Sequence, residues 1–135
     1  DLKASNEQDS KTKLQEISQH KYKILPEYKF IKKEDINCGI LHIHTIKPLD
    51  NEALSHWIPK VNAVVTVEEH TRIGGLGSAV LEYCSDEMPE HTSKIRRIGI
   101  PDHFAEQYGS QSSLLSHWGI TTNSLVKSMK NLLSQ

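Results

Sequence analysis

VNAVVTVEEHTRIGGLGSAVL, residues 61–81, contains in succession the signals of a strand, a tight loop and a helix. Residues 63–67 form a short apolar run rich in β-branched side chains, which is typical of a strand buried on both faces. Gly74, Gly75 and Gly77 then allow the backbone to turn tightly before an apolar helical face begins. The stretch therefore predicts an α/β unit in which a polar loop joins a buried strand to a helix.

Charged and polar residues follow the apolar run where the predicted strand leaves the core. Binding sites in open α/β sheets gather at the carboxyl ends of the strands. The candidate anion-binding or interface residues are therefore Glu68, Glu69, His70, Arg72, Gly74, Gly75 and Gly77. Asp102 and His103, which follow a later strand, are expected at the same edge of the sheet.

The glycine loop has two interpretations. It matches neither the GxGxxG dinucleotide fingerprint nor a phosphate-binding P-loop. Glycines after a strand often serve only to bring a helix close to a sheet, which is the interpretation we favour. Contact with an anion is the alternative, and Arg72, Arg96 and Arg97 are the candidate phosphate ligands because guanidinium groups suit phosphate.

Hydrophobic periodicity and capping residues predict the remaining elements. Strands are expected near 37–46, 62–68 and 94–100, with helices near 13–25, 51–58, 75–85, 111–118 and 122–133. The predicted caps are Asp50, Ser110, Gly119 and either Thr121 or Thr122.

Two histidines, His42 and His44, share one face of the predicted strand at 37–46, and a His-x-His pair can bind zinc. A catalytic zinc site needs three protein ligands, and no third ligand stands at metal-site spacing. We therefore expect no metal site and no catalytic residue. A metal enzyme built on the histidines is kept as a competing hypothesis.

Length and composition set broad limits. The 135 residues suffice for one domain, predicted at 14–135 after a polar tail or linker at 1–13. A net charge of −1 favours neither nucleic acid nor a membrane as partner. Cys38 and Cys84 form no disulfide framework, so a reducing, cytoplasmic setting is expected. The absence of an initiator methionine suggests a fragment or a processed chain.

The stretch VVTVEEHTRIGGLGSAVLE resembles the C-terminal domain of transketolase and of related thiamine-diphosphate enzymes. The resemblance continues through LHIHTIKPLDNEAL at 41–54, KIRRIGIPDHFAEQYGS at 94–110 and SSLLSHWGITTNSLVKSMKNLL at 112–133, in family order. It implies a three-layer α/β/α domain with a mostly parallel sheet and one antiparallel edge strand. Relatives carry an apolar strand ahead of this region that is missing here, although YKIL at 22–25 can supply a short substitute.

The resemblance also implies a function. In the family, thiamine diphosphate and its magnesium are held between two other domains, and this chain contains no Gly-Asp-Gly…Asn cofactor motif. We therefore expect the chain to bind no cofactor and to be inactive alone, while the intact enzyme performs two-carbon ketol transfer between sugar phosphates. Its role would be packing and subunit assembly, with other domains or a subunit and as a homodimer. A small effector- or phosphate-binding module using EEH-TRIGGLG remains the alternative.

Overall fold

The computed structural model describes residues 31–33, 36–104 and 106–135, and the chain divides into two compact units, residues 1–44 and 45–135. In the first unit, strand β1 (Ile31–Lys33) pairs antiparallel with strand β2 (Ile36–Cys38). The predicted helix at 13–25, the substitute strand at 22–25 and the boundary of the polar tail at residue 13 lie outside the described residues.

The prediction of a strand at 37–46 is wrong over most of its length. Strand β2 ends at Cys38, and residues 39–46 have no regular secondary structure. Alternating apolar residues indicate one half-buried face, but a strand also needs hydrogen bonds from a neighbouring strand. In the part of the chain that the structure describes, the paired strands are two antiparallel and two parallel ones, and residues 39–46 belong to neither pair.

The second unit is built on a parallel pair, β3 (Val64–Thr71) and β4 (Ile95–Ile100), joined through helix α2 (Leu76–Glu87). Helix α1 (Asn51–Trp57) precedes this βαβ arrangement, and α3 (Gln111–His117) and α4 (Thr122–Leu133) follow it. These four helices and the strand β4 confirm the corresponding sequence predictions to within two residues at each end.

Local capping explains why the helix bounds were predictable. The Asp50 carboxylate accepts a hydrogen bond from the backbone N–H of Ala53 at 2.9 Å, so α1 begins where expected. Ser110 and Thr121 accept in the same way from the residue three positions on. Gly119, with φ of +70°, follows the end of α3 in the left-handed conformation that glycine tolerates best.

Strand β3 is longer than the sequence predicted. It continues through Thr71 instead of ending at Glu68, because Thr71 pairs with Ile100 and the Arg72 N–H donates to the Ile100 carbonyl at 2.9 Å. The register shifts between Val67 and Thr71, so the extension contains an irregularity in the ladder. The EEH residues therefore lie within the strand and not in the loop after it.

Helices cover both faces of the parallel pair. On one face, α2 approaches so closely that a Cβ on Gly77 would lie 2.7 Å from the Thr66 hydroxyl. On the other face, Val67 lines a cavity of about 220 Å³ together with Ile98 and with Leu125 of α4. Because Thr66 and Val67 are neighbours in a strand, they point to opposite faces. The second unit is thus a three-layer α/β/α arrangement, as the sequence predicted.

Buried apolar residues of this unit lie in or next to helix α1, helix α2, strand β4 and helix α4. They are Ala53, Leu54, Ile58, Val80, Cys84, Met88, Ile95 and Leu132. Cys84 is fully buried, and burial raises the pKa of its thiol, an effect that the nearby charge of Lys94 opposes. Among the helices of the described residues, none is long and apolar enough to cross a membrane.

Candidate functional site

The Glu68 side chain connects strand β3 to the start of helix α2. Its Oε2 accepts the Leu76 N–H at 2.7 Å and its Oε1 accepts the Gly77 N–H at 3.0 Å. The first N–H groups of a helix have no partner within the helix and carry partial positive charge. Gly75, at the N-cap, has no side chain to satisfy them. The carboxylate of Glu68 therefore caps α2 from the neighbouring strand.

A second set of hydrogen bonds fixes the loop between β3 and α2. The Ser78 hydroxyl donates to the Arg72 carbonyl at 2.8 Å and accepts the Gly74 N–H at 3.1 Å. Arg97 of β4 donates from Nη1 to the same Arg72 carbonyl at 2.9 Å and to Ser78 Oγ at 3.0 Å. The loop is thereby tied to both the helix and the neighbouring strand.

The glycines leave room for these contacts. A Cβ on Gly75 would collide with the Glu68 carboxylate, and one on Gly77 would lie 2.7 Å from the Arg97 side chain as well as from the Thr66 hydroxyl. Gly74 differs, since nothing lies within 4 Å of the position that a Cβ would occupy. Its φ of +72° is a left-handed conformation that favours glycine at this position. Gly75 and Gly77 therefore serve close packing, which was the favoured interpretation.

Glu69 and His70 do not join Glu68 in one cluster. Glu69 is exposed on the opposite face of β3, where its Oε2 accepts the Gln111 side-chain N–H at 2.6 Å. His70 is also exposed, and its Nδ1 lies 3.0 Å from the Thr71 carbonyl. A carbonyl only accepts, so Nδ1 is the donor in this contact.

The three candidate arginines have different roles in the structure. Arg96 donates to the carbonyls of Ser93 and Ile95, and Arg97 holds the loop as described above. Arg72 is exposed, and within the described residues its guanidinium has no recorded hydrogen bond or ion pair. Arg96 is exposed as well, so Arg72 differs from it only in that the Arg96 guanidinium donates to backbone carbonyls.

Sequence reasoning missed Ser78 and Gln111 and gave Arg97 a different role. Ser78 lies in the predicted helix, and the hydrogen bond that it accepts from Arg97 depends on strand order, which the sequence does not reveal. One signal was available for Glu68. It shares a strand face with Thr66, and this is the face on which the following helix packs.

The histidine pair lies in the first unit. The rings of His42 and His44 are 6.4 Å apart between centroids in an edge-to-face arrangement. In the described part of the chain, no group of three or more His, Cys, Asp or Glu side chains could hold a metal ion.

Asp102 and His103, the candidates after β4, are both exposed. The His103 ring stacks on Trp118 with 6.3 Å between the ring centroids.

Comparison with known proteins identifies the family. The profile of the transketolase C-terminal domain matches residues 23–125, which is most of the chain. The chain belongs to the transketolase C-terminal domain family. The matched range includes β3, the Glu68-capped loop, α2 and β4.

Individual relatives agree with the family assignment. The 1-deoxy-D-xylulose-5-phosphate synthase of Heliobacterium modesticaldum is 36% identical over 102 residues, and that of Syntrophotalea carbinolica is 37% identical over 100 residues. These alignments cover 76% and 74% of this chain but 15% of each synthase. This chain thus spans about one seventh of the length of these synthases.

A solved structure has the same fold. A split-gene transketolase, described as an inactive β4 tetramer, superposes with a TM-score of 0.65 at 35% sequence identity. The superposition covers 75% of this chain and 32% of that one. The α/β fold of the transketolase C-terminal domain, predicted from the sequence, is therefore confirmed.

Proposed function

We propose that this chain is the C-terminal domain of a cytoplasmic, thiamine-diphosphate-dependent enzyme that performs two-carbon ketol transfer, and that its role there is packing and subunit assembly. The observation that carries this proposal is the internal use of the strand-end residues. Glu68, the one acidic residue of the EEH set that is buried, binds the first N–H groups of α2. Arg97, a candidate phosphate ligand, donates to Arg72 and Ser78 within the same chain.

These contacts leave the loop poorly suited to a pyrophosphate group. Backbone N–H groups at a helix N-terminus are the usual protein ligands of such a group. In α2, two of them already have a carboxylate partner, and a second negative charge beside Glu68 would be repelled. The described residues also present no set of carboxylate or imidazole ligands for magnesium. We therefore assign this chain no step in the chemistry of the cofactor.

The relatives support an assembly role. The split-gene transketolase to which the chain is similar forms a tetramer of a single type of chain. The synthases are much longer than this domain, which leaves the remaining 85% of their length for binding the cofactor and the substrates. We propose that the chain works with other domains or a subunit of its enzyme, in a homodimer.

The test is a graft into a relative. In the synthase of Heliobacterium modesticaldum, the segment that aligns with this chain is replaced by residues 23–125, and a second variant lacks the segment altogether. We expect the deletion to lose subunit assembly and turnover, and the graft to recover both. Sedimentation velocity measures assembly, and synthase turnover measures activity. A deletion variant that assembles and turns over normally would exclude the assembly role.

Calorimetry tests the second part of the proposal. The isolated 135-residue chain is titrated with thiamine diphosphate and magnesium, and with inorganic phosphate as a separate ligand. We expect no heat of binding with either. Micromolar binding of the cofactor would place part of its site in this chain. Binding of phosphate that is lost in an Arg72→Gln variant would instead support the alternative effector-binding module.

A further inference from the structure

Large apolar side chains are exposed in the loops that follow β3 and β4. Ile73 is 62% exposed, Phe104 is 93% exposed and Tyr108 is 100% exposed. The two loops leave adjacent parallel strands, and Thr71 pairs with Ile100 where the strands end. Scattered exposed apolar residues are common, but three at one end of a sheet indicate a contact surface.

Opposite charges stand beside these apolar residues. Arg72 precedes Ile73, and Asp102 precedes Phe104 by two positions in the other loop. Both charged side chains are exposed, and neither has a recorded ion pair within the described residues. We call Arg72, Ile73, Asp102, Phe104 and Tyr108 the strand-end surface. It carries one cation, one anion and apolar side chains, so its charges complement those of an identical surface.

The loop of Arg72 and Ile73 is also pre-organised. The Arg72 carbonyl accepts two hydrogen bonds, from Arg97 and Ser78, and its N–H donates to Ile100. The Ile73 N–H donates to the Thr71 hydroxyl at 3.4 Å. A backbone fixed in this way loses little conformational entropy on association. An exposed isoleucine on a fixed loop is therefore well placed to insert into a partner.

We infer that the strand-end surface binds the same surface of a second copy of this chain across a two-fold axis. In such an isologous contact, residue i of one copy meets residue j of the other and j meets i. Arg72 of each copy then faces Asp102 of the other, and the apolar side chains are buried between the two pairs. Arginine and tyrosine are enriched at the centres of protein interfaces. This inference rests on the proposed assembly role and names its surface.

Charge reversal tests the pairing. Sedimentation velocity measures self-association of the full 135-residue chain and of Arg72→Asp and Asp102→Arg over a wide concentration range. A two-fold contact contains the Arg72–Asp102 pair twice, so a single reversal places like charges together at two positions. We therefore expect either single variant to raise the dimer dissociation constant about tenfold. The double variant should recover the original constant. An equimolar mixture of the two single variants should associate better than either alone, because each cross-pair is then of opposite charge.

Apolar contact is tested separately with Ile73→Asp. We expect this change to raise the dissociation constant roughly a hundredfold, since it removes apolar burial from both copies. Leu133→Asp is the matched control, because Leu133 is 49% exposed but lies at the end of α4. It should leave the constant unchanged. Circular dichroism melting of each variant establishes that the chain remains folded.

The outcomes separate this inference from the assembly role itself. A chain that stays monomeric at every concentration, or single reversals that do not complement each other in the mixture, would overturn the strand-end contact. The graft into the Heliobacterium modesticaldum synthase can still recover assembly in that case, and the proposed function would then stand. Loss of association in Leu133→Asp but not in Ile73→Asp would also overturn the inference, since it would place the contact elsewhere.

Discussion

Replacing Glu68 by glutamine tests whether its carboxylate is what joins the strand to the helix. Glu68 is only 9% exposed and accepts two backbone N–H groups at 2.7 and 3.0 Å. A glutamine keeps one acceptor, but its amide N–H₂ group then faces the second N–H group and cannot accept from it. A hydrogen bond to a charged group contributes about 1.5–3 kcal/mol, and the helix dipole adds about 0.3–1 kcal/mol.

The sum predicts that Glu68→Gln lowers the free energy of unfolding by about 2–4 kcal/mol. For a domain of this size, the melting temperature should fall by roughly 10 °C. The neighbouring change Glu69→Gln is the control. Glu69 is exposed and accepts from one side chain, that of Gln111, so we expect an effect within about 0.5 kcal/mol. Equal unfolding midpoints for the two variants, measured in urea and by calorimetry, would refute the capping role of Glu68.

Three further predictions concern packing and reactivity. Gly77→Val should destabilise the chain by a few kcal/mol, because the valine side chain would overlap Thr66 and the neighbouring side chains. Gly74→Asn should cost under about 1 kcal/mol. Similar urea midpoints for the two variants would contradict this difference. Thr66→Val should raise stability by about 1 kcal/mol, because the buried Thr66 hydroxyl has no hydrogen-bond partner among the described residues; a lower midpoint would count against it. In thiol alkylation, Cys84 should react far more slowly than the partly exposed Cys38 until denaturant is added, and equal rates in the folded chain would disprove its burial.

Helix positions followed from the sequence because the signals that define them are local. Asp50, Ser110 and Thr121 each bind a backbone N–H three residues away, so the sequence contains both partners within one turn. The paired strands were harder to predict. The extension of β3 to Thr71 depends on Ile100, nearly thirty residues away, and the loss of the strand at 39–46 depends on what pairs with it.

The site was predictable in position but not in its contacts. The sequence predicted that the strand ends at Glu68, but β3 continues through Thr71, so the EEH residues lie within the strand and the glycines lie in the loop that follows it. It grouped Glu68 and Glu69 among the same candidate site residues, although strand alternation directs them to opposite faces. It offered Arg97 as an anion ligand, but Nη1 of Arg97 donates to the Arg72 carbonyl and to Ser78 within the chain. Each of these outcomes depends on strand order and helix placement, which only the folded chain provides.

The carboxylate of Glu68 has a further consequence for any ligand that approaches the start of α2. A tethered group acts on its neighbour at an effective concentration that can reach millimolar values or more. In the folded chain, the Glu68 carboxylate is held permanently beside the N–H groups that it binds. An anion from solution would have to displace Glu68 from Leu76 and Gly77 before it could bind there. The Glu68 carboxylate is therefore a built-in competitor of any anion at the start of α2.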